Sequence, residues 1–141
     1  MSNRMHRRHF LSTVAGGGAI AAVGCKSTPA PGAISPGLKT GGVRMIPVAG
    51  GKYRVWTRRV GDAPIKVLLL HGGPGLNHIY LNCFEDFLPR QGIEFYFYDQ
   101  LGSHYSDNPD DQKLWTVERF TEEVEEVRKG LGLDNFYLYG Q

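Results

Sequence analysis

Residues 65–70 read Ile-Lys-Val-Leu-Leu-Leu and stop abruptly at His71. A short run so rich in branched apolar side chains suits a strand buried on both faces of a parallel sheet, and such a sheet needs helices to cover it. The rest of the chain is laid out to supply them. Tyr80, Leu81, Phe84, Phe87 and Leu88 follow helical spacing, closed by Pro89 and Gly92. Ile93 to Tyr98 is a second strand. From an N-cap at Thr116, the residues Val117, Phe120, Val124, Val127 and Leu131 share one helical face, and Gly132 ends that helix. Glu122, Glu123, Glu125, Glu126, Arg128 and Lys129 take the opposite, solvated face. Phe136 to Tyr139 is a last strand. Upstream, Val43 to Val48 and Lys52 to Val60 flank Ala49-Gly50-Gly51, whose glycines supply the positive φ of a tight hairpin. The order is hairpin, strand, helix, strand, helix, strand, which predicts an α/β sheet with right-handed crossovers. Ligands of such sheets bind beyond the carboxyl ends of the strands, here after Leu70, Tyr98 and Tyr139.

The 141 residues are 41% apolar, 11% aromatic and 21% charged, which suits one globular domain and excludes wholesale disorder, a collagen-like repeat or a disulfide-dense mini-protein. The net charge of +2 arises at the N-terminus, where Arg4, Arg7 and Arg8 lie in a stretch of 24 residues without an acid. The other 117 residues carry 13 basic against 14 acidic side chains, so no nucleic-acid partner is expected.

Arg7-Arg8-His9-Phe10-Leu11, followed by a Gly/Ala-rich apolar run to Gly24, reads as an export address and resembles the twin-arginine translocation signal. An ordinary secretory signal that begins with two arginines is the alternative. Phe10 to Gly24 spans 15 residues, short of the roughly 20 that a transmembrane helix needs. Ala22-Val23-Gly24-Cys25 resembles a bacterial lipobox, with Cys25 as the acylated residue, although Ala22 stands where Leu is usual and plain signal-peptidase cleavage is the alternative. The expected partners are therefore the twin-arginine export machinery and, through a lipid on Cys25, a membrane. The expected location is the bacterial periplasm or cell envelope. Residues 26–42 are too rich in Pro and Gly for a helix or central strand. The chain thus divides into an export signal (1–24), a tether (25–42) and a folded core (43–141).

After the first buried strand comes His71-Gly72-Gly73-Pro74-Gly75. Glycines let the backbone turn sharply and expose its amides, and exposed amides bind anions, including the oxyanion of acyl transfer. The alternative is a turn that merely redirects the chain. A dinucleotide fingerprint is excluded, because the G-x-G-x-x-G spacing is absent and Pro74 lacks an N–H. After the second strand, Asp99 to Trp115 forms a long polar loop, and loops of this length are usually functional or mobile.

Three motifs together, His71 to Gly75, Tyr98-Asp99-Gln100-Leu101-Gly102 with Ser106 after it, and the strand running into Gly140-Gln141, resemble the N-terminal part of an α/β-hydrolase. The closest resemblance is to the prolyl iminopeptidase family, serine peptidases that release N-terminal residues, often proline, from peptides. It covers residues 43–141, and its most specific element is H-G-G-P-G followed by D-Q-x-G at the next strand end. The resemblance implies that Gly73 donates an oxyanion N–H with Gly72 beside it, and that His71, Pro74 and Gly75 shape the loop. It also implies that Asp99, Gln100 and Gly102 support the same rim. Leu101 replaces an Arg frequent in the family, and His104-Tyr105 replaces a Gly-Arg pair, so the substrate stays open.

Gly140-Gln141 matches the first two residues of the G-x-S-x-G nucleophile elbow. The resemblance therefore implies a nucleophile directly after Gln141 and the rest of the triad later still, which leaves no catalytic residue within the 141 and predicts a chain inactive alone. His6 and His9 belong to the signal, His71 to the loop, and His78 and His104 read as polar loop residues. Ser103 and Ser106 read as hydrogen-bonding loop serines, since neither lies on a strand-to-helix elbow. Cys83, beside Phe84 and Phe87, reads as a buried apolar thiol without chemistry. No cofactor is implied, and no cluster has metal-ligand spacing. Two other readings stand beside the peptidase: an esterase or epoxide hydrolase on the same scaffold, which the first half of a fold does not distinguish, and a non-catalytic, lipid-tethered envelope protein. The expected partner of the parent enzyme is a peptide or a small ester or amide.

Overall fold

The computed structural model describes residues 40–73 and 75–141. Arg7, Arg8, Cys25, nearly all of the tether and Pro74 lie outside the described residues.

Five strands form one sheet: β1 (Thr40–Val48), β2 (Tyr53–Val60), β3 (Ile65–Leu70), β4 (Ile93–Tyr98) and β5 (Tyr137–Gly140). Their spatial order is β1-β2-β4-β3-β5. The first three are joined antiparallel, whereas β3 runs parallel to both β4 and β5. The entry hairpin and parallel core are those expected, and β3 and β4 begin and end where the sequence places them. β1 begins three residues ahead of the predicted strand, with an irregular register between Thr40 and Gly42. The hairpin turns through positive φ at Ala49 as well as at Gly50 and Gly51.

The sheet is apolar on both faces because its central strands alternate. On one face Leu68, Tyr96 and Tyr98 pack with Ile46, Val55 and Val127. On the other, Leu69, Phe95 and Phe97 pack with Trp56, Val60 and Leu81. The first face is covered by α1 (Val117–Leu131), whose Thr116 hydroxyl caps the Arg119 amide and whose chain leaves through left-handed Gly132.

Three expectations need correction. The crossover after β3 is a 3₁₀ segment, His78–Asp86, rather than an α-helix. Residues three apart align in a 3₁₀ helix, so His78, Leu81 and Phe84 turn inward, while Phe87, past the end of the segment, is left 64% exposed. The same three-residue repeat turns Tyr80, Cys83 and Asp86 outward, so Cys83 is exposed rather than buried. Along α1, Val117 is 77% exposed and Glu123 only 1%, so the charged run is not wholly a solvated face. Glu126 on the same helix also has a structural partner, accepting the hairpin amides of Ala49 and Gly50 at 2.8 and 3.2 Å.

Candidate active site

The carboxyl ends of β3 and β4 carry the two loops singled out by the sequence, and His71 joins them. Its Nε2 faces the Gln100 N–H at 2.9 Å, and its Nδ1 lies 2.7 Å from the Gly72 carbonyl oxygen. An amide N–H can only donate, so Nε2 must accept, and Nδ1 carries the proton and donates. His71 is therefore a neutral imidazole. Burial lowers its pKa for the same reason: the charged form has lost its water. Gln100 closes the contact from its other end, donating Nε2–H to the His71 carbonyl at 3.0 Å.

The two glycines after His71 serve differently. The Gly72 N–H donates to the Tyr80 hydroxyl at 2.7 Å, so it is already engaged. Gly73 has φ of +148°, a region that favours glycine, and a Cβ there would lie 2.9 Å from the Gly75 nitrogen. Its N–H has no hydrogen-bond partner among the described residues. A Cβ on Gly72 would lie 3.1 Å from the Gln141 carbonyl oxygen, which puts the glycine loop directly against the end of β5. His71, Gly72, Gly73, Gln100, Trp115 and Gln141 all line one open cleft of about 480 Å³.

Asp99 is fully buried and does not face that cleft. Its Oδ1 accepts from both the backbone N–H of His78 at 3.0 Å and the ring Nδ1–H at 2.8 Å. Burial works to raise its pKa, but the His78 hydrogen bonds and charge outweigh it and hold the carboxyl below its usual range. His78 is thus buried and paired, not the polar loop residue the sequence suggested, and its ring stacks on Trp56 at 4.5 Å.

Ser103 and Ser106 are the hydrogen-bonding serines expected of them. The Ser103 hydroxyl donates to the Leu76 carbonyl at 2.6 Å, and that of Ser106 donates to the Asp99 carbonyl at 2.5 Å while accepting from the Trp56 N–H at 2.8 Å. Gly102 has φ of +84°, and a Cβ on it would lie 2.4 Å from the Trp115 ring, so no other residue fits there unchanged. Behind this loop, Glu123 accepts from the Tyr98 hydroxyl at 2.7 Å and from the Leu101 N–H at 3.0 Å, and pairs with Arg119. Burial, followed by the charge of Glu123, raises the Tyr98 pKa well above its ordinary value.

Sequence reasoning missed Tyr80, His78 and Glu123. A signal existed for Glu123, which lies three residues after Phe120 and four before Val127, within the apolar stripe. No group of three His, Cys, Asp or Glu side chains suited to a metal occurs among the described residues.

The chain is 57% identical over 101 residues to the proline iminopeptidase of Elizabethkingia meningoseptica, an overlap of 68% of this chain and 34% of that protein. Among solved structures it is similar to the proline iminopeptidase of Mycobacterium smegmatis, with 28% identity, a TM-score of 0.65, and coverage of 71% of this chain and 35% of that one. A proline iminopeptidase-related protein from Thermus thermophilus matches with 29% identity and a TM-score of 0.63, again over 71% of this chain and 35% of that one. The chain therefore spans about a third of the length of the curated relatives it matches. The family profile described as alpha/beta hydrolase fold matches residues 66–141, which include β3 from Lys66, β4, α1, β5 and both strand-end loops. That match takes in more than half of the chain, and the chain belongs to the alpha/beta hydrolase fold family.

Proposed function

We propose that this chain supplies the oxyanion loop and supporting strands of a serine hydrolase that releases N-terminal residues, proline among them, from peptides. The observation that carries the reading is Gly73, a position that favours glycine by φ and by space, with its N–H free of partners among the described residues at the carboxyl end of β3. Where such a donor meets a developing oxyanion in a water-poor site, it contributes roughly 3–4 kcal/mol to the transition state. The identity with a proline iminopeptidase supports the substrate class.

In this reading a serine follows Gln141 on the elbow, beside the glycine loop, and the acid and histidine come from later sequence. The serine Oγ attacks the carbonyl carbon of the N-terminal residue while the histidine takes its proton. Electrons collect on the carbonyl oxygen, held by Gly73 N–H. Collapse breaks the C–N bond, the amine leaves with the proton from the histidine, and water then releases the acyl group by the same route. In this reading the 141 residues alone do not turn substrate over. Arg7, Arg8 and Cys25 support export and lipid attachment as part of the same proposal, which the mass of the mature N-terminus tests.

The direct test uses the full-length gene product with prolyl p-nitroanilide, an acyl p-nitrophenyl ester and a fluorophosphonate. Expected are anilide hydrolysis, one labelled serine, and a fall in kcat of about 10²-fold with little change in KM for Gly73→Ala, whose backbone must leave its present φ. Ester turnover without anilide turnover replaces the peptidase with an esterase, and absence of labelling removes the serine nucleophile.

A further inference from the structure

Among the described residues, the glycine loop is fastened near its two ends. At the near end are the contacts of His71 with Gln100 and of Gly72 with Tyr80. At the far end, one oxygen of Asp99 grips His78 twice, through backbone and ring, and Ser103 holds the neighbouring Leu76 carbonyl. A double grip on one residue fixes its place and its rotamer together. Asp99 is itself immobilised, since its N–H donates to the Trp56 carbonyl at 3.0 Å and its carbonyl accepts from Ser106.

We propose that the buried His78–Asp99 pair positions the Gly73 amide, by locking the far end of the glycine loop onto the loop that follows β4. The proposal rests on the oxyanion reading of Gly73. Neither residue lines the cleft that contains Gly73, so both act through the loop as positioning residues. The sheet does not need them, because β3 and β4 are already paired through Ile65–Leu68 and Ile93–Tyr96. Nor is stability a sufficient reason for the pair, since burying a carboxylate against a ring often gains nothing over an apolar replacement. Fixing a loop that carries few hydrogen bonds of its own is what the pair accomplishes.

The test uses the full-length protein and two readouts. His78→Phe keeps a ring to stack on Trp56 but removes the Nδ1 donor, whereas Asp99→Asn keeps an acceptor oxygen. His78→Phe is expected to lower kcat on prolyl p-nitroanilide about tenfold, with KM within about twofold, and Asp99→Asn to retain most of the activity. In His78→Phe the Gly72 amide, protected by Tyr80, should exchange its hydrogen about tenfold faster, while the Phe95 and Phe97 amides of β4 keep their rates. If that variant does not fold, Ser103→Ala cuts the same end more gently and should lower kcat about threefold at constant KM. An unchanged kcat overturns the proposal. So does exchange that rises equally in the loop and in β4, which makes the pair a general stabiliser. A full-length protein without peptidase activity removes the proposed function, and the contrast in exchange then decides the lock by itself.

Discussion

The loops after β3 and β4 lie side by side and are built in opposite ways. Residues 99–107 hydrogen-bond among themselves, from Ser103 N–H to Gln100, Ser106 N–H to Ser103 and Gly102 N–H to Asp107. They are also tied to β2 through Trp56 and Arg54, and to α1 through Glu123. The described residues of 72–76, by contrast, are held by side chains outside the segment, Gly72 N–H by the Tyr80 hydroxyl and the Leu76 carbonyl by Ser103. The difference fits the role proposed for Gly73. A loop that must leave an N–H open to a ligand cannot use that N–H to hold itself, so its rigidity has to come from a neighbour.

That contrast makes the β4 loop the expensive one to damage. The largest effect is expected for Glu123→Ala, which leaves the Tyr98 hydroxyl, the Leu101 N–H and the Arg119 guanidinium without their shared carboxylate. Breaking a buried charged pair from one side costs about 3–5 kcal/mol, read as a fall in the denaturation midpoint at constant slope. A loss below about 1 kcal/mol would dissolve the distinction between the two loops. Tyr80→Phe, which removes the acceptor of the Gly72 N–H, should cost only about 1 kcal/mol while reducing protection of that amide from exchange. The smallest change is expected on mild acidification. Burial depresses the pKa of folded His71 below the ordinary 6.5 of the unfolded chain. Below that value the unfolded state binds more protons, so His71's contribution is complete above it and fades as pH falls through it. Denaturation midpoints compared above and below this value should fall on the acid side. In His71→Gln, whose amide oxygen still accepts from Gln100, that part of the slope should vanish.

What the sequence revealed depended on how local the cause was. β3 and β4 were legible to the residue because both are short apolar runs cut off by His71 and Asp99, and the exit of α1 was legible because Gly132 adopts the left-handed turn that glycine favours. The glycine loop and its D-Q-x-G neighbour were legible as motifs. The contacts between them were not, since His78 meets Asp99 from 21 residues away and Ser106 meets Trp56 from 50. The 3₁₀ crossover was hidden for another reason. Tyr80, Leu81, Phe84, Phe87 and Leu88 satisfy the α-helical period, and only packing against the sheet shows that the three-residue row of His78, Leu81 and Phe84 turns inward.

The strand order also sets a timetable for synthesis. β1 and β2 can pair as soon as residue 60 has emerged, but the next strand to be made, β3, finds both of its neighbours only later, at residues 93–98 and 137–140. Until then Val67-Leu68-Leu69-Leu70 is an apolar segment of high β propensity with no strand to join. It stays without a strand partner until β4 has been made, and so is a stretch in need of a chaperone's cover.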